Sequence, residues 1–157
     1  DPADRVGDWE TAGMGEVQIV SVDERDGSWA DDRPRFRVYL HGGGGPTTTL
    51  GGTDTYDITG ADVLQVIDWA QRQAGESLAY AVALVYDDDA REQQSPGRGR
   101  GLVWLVGMDG NDTARDREEA QVQSRMLARR DEPVGVASAD RMPLDVPDPY
   151  NDGTMSR

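Results

Sequence analysis

A chain of 157 residues is long enough for one domain with a single core and too short for two. Hydrophobic residues make up 36% and the mean hydropathy is -0.69, so part of the chain is expected to lie outside any core. The formal net charge is -14, every basic residue is Arg and there is no Cys, which disfavours direct contact with nucleic acid or anionic membrane and excludes disulfides, thiolate metal sites and thiol nucleophiles.

Residues 1–32 carry a net charge of -8, residues 33–108 of -2 and residues 109–157 of -4. This asymmetry divides the chain into an acidic N-terminal arm (1–32), a single α+β domain (33–130) and an extended tail (131–157) punctuated by Gly, Pro133, Pro143, Pro147 and Pro149. In the arm, residues 16–22 (EVQIVSV) read as an edge strand. Phe36, Val38 and Leu40 alternate with Arg35, Arg37 and Tyr39, the pattern of a half-buried strand. The Gly/Thr-rich stretch 42–52 then interrupts regular structure, and residues 54–58 (DTYDI) form the hairpin partner.

Thr59 and Asp62 suit a helix start, with Thr59 as the cap, and Val63, Val66, Ile67, Ala70 and Ala74 repeat at helical spacing before Gly75. The spacing predicts the main helix over 61–74. Residues 78–86 (LAYAVALVY) are uncharged and predict a central strand buried on both faces, with Ala79, Ala81 and Ala83 on one side to admit that helix. A polar hairpin loop over 91–100 leads to a further strand at 101–108, and a thin stripe of Val122, Met126 and Leu127 predicts a second, solvated helix within 113–130. The expected architecture is therefore α+β: a four-stranded, mostly antiparallel sheet in the order strand, strand, helix, strand, strand.

The segment VYLHGGGGP (38–46) has the local form of the oxyanion-hole loop of lipases and esterases. That chemistry also needs a nucleophile on a strand-to-helix elbow and a His base. Ser77 in GESLA follows a helix and precedes a strand, the reverse order, and His41, the one histidine, already sits in the loop. The motif is a decoy on these grounds. Asp87, Asp88 and Asp89, or Asp109, Asn111 and Asp112, offer oxygens to a hard cation but lack EF-hand spacing. The run GRGRG (97–101) precedes a strand, so no helix N-terminus stands behind it to hold phosphate. LDVPDPY (144–150) resembles the Asp-Pro-Tyr segment of low-molecular-weight tyrosine phosphatases, which attack through a cysteine that is missing here.

RFRVYL (35–40), YDITGADVLQVIDWA (56–70) and GLVWLVGMDGN (101–111) resemble segments of a group of uncharacterised small acidic α+β proteins of high-GC bacteria. The order of helix, apolar strand, acidic loop and strand end is also similar to immunity proteins that neutralise deaminase toxins. That resemblance implies a non-enzymatic inhibitor that covers a toxin's active site, steered to a basic partner by its acidic surface. Expected function is accordingly a non-catalytic protein-binding module, immunity-like or regulatory. An accessory subunit of a larger assembly and an enzyme built on carboxylates and His41 are the alternatives.

No cofactor and no metal are called for by any motif. Candidate binding residues are the aromatics Tyr39, Tyr56, Tyr86 and Trp104 and the acids Asp57, Asp87, Asp88 and Asp89. The partner is expected to be a protein, with a basic one as the form the acidity suits, and no nucleic acid and no membrane; a GC-rich genome or a salty cytoplasm accounts for the acidity more readily than a specific basic partner does. The chain begins at Asp1 rather than Met, the mark of a trimmed or partial product, and the cytoplasm is the default compartment.

Overall fold

The structure, a computed structural model, describes residues 17–43 and 50–146. Four strands form one sheet: β1 (Phe36–Gly43), β2 (Leu50–Ile58), β3 (Ala79–Asp87) and β4 (Arg100–Val106), in the spatial order β2-β1-β3-β4. All three pairings are antiparallel. β2 and β3 consequently run parallel across β1, and the required crossover is supplied by α1 (Val63–Ala74). Two further helices, α2 (Asp89–Gln94) and α3 (Arg117–Ala128), complete the α+β domain.

Alternation along the strands assigns the two faces. Phe36, Val38 and Leu40 of β1 pack with Tyr80 and Val82 of β3 against Val66, Trp69, Ala70 and Ala74 of α1, forming the main core. The opposite face carries Ala79 and Ala81, which pack on Met126 of α3. The small alanines thus admit the second helix and not the main one, a correction to the sequence expectation. Alternation could place them on one face but could not say which helix that face receives. Gly107 (φ +78) belongs to the same close approach, because a Cβ there would lie 3.0 Å from Ala81 and 3.2 Å from Met126.

The cap of α1 also differs from expectation. Asp62 is the N-cap: its carboxylate accepts from Gln65 N–H (2.9 Å) while the Gln65 side chain accepts from Asp62 N–H (3.0 Å). A capping box is complete three residues after the Thr59 start inferred from sequence. In the loop 91–100, α2 replaces an irregular hairpin, capped by Asp88, whose side chain accepts from Arg91 N–H. Six residues with no apolar stripe gave no periodic signal for it.

Two terminal regions complete the picture. Of the edge strand expected at 16–22, residues 17–22 are exposed and pair with no strand among the described residues. Residues 131–146 are irregular, with a short 3-10 turn at Ser138–Asp140 and a turn closed by Val146 N–H on Pro143 C=O, yet they are tied down. Gln71 exchanges hydrogen bonds with the backbone of Val134 (2.8 and 3.0 Å), and the buried Asp68 accepts from Met142 N–H (3.0 Å) while pairing with Arg72. Met142 joins the main core. The glycine-rich segment 44–49 and residues 147–157, with the Asp-Pro-Tyr stretch, lie outside the described residues.

Candidate functional site

Among the described residues, the face under α3 is packed at the end where Ala79 and Ala81 meet Met126. Toward the other end its floor is a ladder of charge and aromatic rings. Asp57 of β2 stands opposite Arg37 of β1, and the row continues through Ala83 of β3 to Trp104 of β4. Arg37 donates to Asp57 through Nε (2.7 Å) and Nη2 (3.1 Å), and Arg35 reaches the same carboxylate through Nε (2.6 Å) and Nη2. Arg100 grips Asp87 in the same bidentate manner (2.7 and 3.1 Å). Both carboxylates are held below the usual range, Asp57 first by the Arg37 hydrogen bond and Asp87 first by that of Arg100, with Arg35 and Arg37 acting on Asp87 through space.

Trp104 lies beside this ladder, its ring 5.1 Å from that of Tyr39 and tilted by 47°. It remains 37% exposed, and its neighbours Val103 and Leu105 are 50% and 44% exposed. β4 is an edge strand with a partner on one side only. Among the described residues its outer N–H and C=O groups have no strand to pair with, and from Leu102 to Val106 its side chains are apolar on both faces, the combination that templates association with another chain. Between β4 and α3 a groove of about 640 Å³ runs past Trp104, Leu105, Val122 and Arg125.

The eight residues singled out from sequence divide into three sets. Tyr39, Asp57, Asp87 and Trp104 come together on this face. Tyr56 and Tyr86 lie on the other: Tyr56, partly buried, packs edge-on against Trp69 (5.7 Å, 78°) at the margin of the core, and Tyr86 is exposed at the end of β3. Asp88 and Asp89 belong to α2, one as its cap and the other in its first turn. The sequence reading missed Arg35, Arg37 and Arg100. Their signal was the alternation that put Arg35 and Arg37 on the same side as Tyr39.

His41 is fully buried, stacked against Tyr39 (5.9 Å, 12°). Gly110 N–H donates to its Nε2 (3.2 Å), which leaves Nδ1–H facing Thr53 Oγ1 (3.2 Å), an oxygen that also accepts from Asn111 (2.6 Å). Burial holds the ring's pKa below 6.5, so it is neutral. With both nitrogens engaged, the imidazole pins the turn after β4 to β1 and β2. The Gly97 and Gly99 N–H groups of the GRGRG run do face an anion, but it is the chain's own Glu92 carboxylate (2.7 and 2.8 Å).

Among the described residues no group of three or more His, Asp or Glu side chains is placed to hold a metal ion, and no helix is long and apolar enough to cross a membrane. Compared with protein-family models, curated proteins and solved structures, the chain matches none.

Proposed function

We propose that the chain is a non-catalytic protein-binding module that docks a basic partner protein on the uncovered half of the α3-side face and along β4. The exposed run Val103, Trp104 and Leu105 on the edge strand β4 supports this reading. Short-range affinity comes from Trp104 and its apolar neighbours, since a partly buried tryptophan beside fixed arginines is a common composition for an energetic centre. The Arg–Asp pairs are already formed in the free chain, so few side chains lose freedom on docking. Long-range attraction to a basic surface comes from the net charge of -14. An immunity-like inhibitor of a nucleic-acid-handling toxin is the form of this function that the sequence resemblance implies.

A second reading, an accessory subunit of a larger assembly, is favoured by one observation. Val17 and Ile19 are 88% and 93% exposed in an unpaired, β-prone segment, as a docking arm would be. Capture of partners from the native cell extract by the intact chain, by Trp104→Ala and by a chain lacking residues 1–22 separates the two. Loss of one basic partner in Trp104→Ala, by about thirtyfold or more in affinity, supports the face; loss only on truncation supports the arm; unchanged retention by both variants contradicts both.

A further inference from the structure

At the end of the sheet where β3 begins, the C-terminal turns of α1 and α3 meet over a cleft of about 390 Å³. This volume suits a small molecule rather than a peptide. Its lining combines the apolar side chains of Ala74, Leu78 and Met126 with Tyr80 and Arg129. Tyr80 is only 3% exposed, and its hydroxyl and the Arg129 Nη1 are both buried atoms with no hydrogen-bond partner. Native interiors pair nearly all such groups, so these two donors, on residues that line one cleft, are open to an acceptor that enters it.

The chemistry of that acceptor follows from the groups present. Burial raises the Tyr80 pKa, so the phenol keeps its proton and is available as a donor, and the charge of Arg129 acts on it through space. Two donors, one carrying a permanent positive charge, match an oxyanion. Arg130 adds a second positive charge to the lining, while Glu76 and Asp131 stand exposed at its rim. Rim carboxylates repel a second negative charge and so favour a monoanion over a phosphate. We propose that this cleft binds a small monoanionic carboxylate with an apolar body, its carboxylate accepting from Tyr80 and Arg129 and its body lying against Ala74, Leu78 and Met126. The cleft adjoins the groove between β4 and α3, because Arg129 lines both.

The test is calorimetric titration of the full chain with benzoate, with benzamide as the neutral isostere and inorganic phosphate as the competing oxyanion. Benzoate should bind saturably at one site and raise Tm, with benzamide and phosphate weaker by about tenfold or more. Tyr80→Phe and Arg129→Gln should each weaken benzoate by about tenfold. Without ligand, Tyr80→Phe should melt at the same or a higher temperature, because it deletes an unpartnered buried hydroxyl. Arg129 is half-buried on a helix end, so its variant reports on the site even if Tyr80→Phe folds poorly. Absence of saturable benzoate binding, equal binding of benzamide or phosphate, or unchanged affinity in the variants would overturn the proposal.

Discussion

A Cβ on Gly99 would lie 2.6 Å from the Glu92 Cβ and 2.9 Å from the Asp88 carbonyl oxygen, and the latter is backbone that cannot swing aside. Gly99→Ala should therefore cost about 1–3 kcal/mol in chemical denaturation, with the loss centred on α2 and the start of β4. His41 makes a pH-dependent contribution of definite sign. Its folded pKa lies below the ordinary 6.5, so between the two values the unfolded chain binds the extra proton. Stability is fully present above 6.5 and falls as pH drops from there through the folded value. Urea unfolding of the native chain and of His41→Gln across pH 5 to 7.5 should show a steeper loss of stability on acidification in the native chain. Equal slopes would mean that His41 is not held neutral in the fold. Asp57 acts in a lower window: with its pKa depressed below 3.8, its contribution is lost only as pH falls through that depressed value.

At the scale of elements, α1 depends on its cap. Asp62→Ala removes the carboxylate arm of the box, leaving only the Gln65 side chain on the residue-62 backbone N–H, and should destabilise the domain by about 1 kcal/mol, whereas Thr59→Ala should be nearly neutral; reversal of that order in thermal melts would place the cap at Thr59. α3 is held by less, with Met126 as its buried residue, and Met126→Ala should cost about 2–5 kcal/mol. The strands and the main helix were legible because alternation in 35–40, the uncharged run 78–86 and the stripe from Val63 to Ala74 are strong periodic signals. Where the fold departed from expectation, the deciding quantity was tertiary. The choice between α1 and α3 for the alanine face is of that kind, as is the choice between Thr59 and Asp62 as cap. So is the failure of residues 17–22 to join the sheet although their composition is β-prone.

For the whole molecule, the acidity and the exposed face act at different ranges. Under the docking proposed above, charge concentrated toward the ends would set how fast a basic partner arrives, and the row from Asp57 to Trp104 would set how long it stays. Association rates should fall by about tenfold or more between low and high salt, with dissociation little changed, in stopped-flow or surface binding. Half of this site was visible in the sequence, since Tyr39, Asp57, Asp87 and Trp104 were singled out by type. Their assembly was not, because it needs the register that sets Arg37 between Asp57 and Ala83 and carries the row on to β4.

The most direct test of the binding face is amide hydrogen exchange of the full chain alone and with the basic partner it captures. Slowed exchange in residues 100–106, together with 35–39, and little change on the α1 side is the expected result. Protection confined to α1 or to residues 17–22, or no protection at all in β4, would contradict docking on this face.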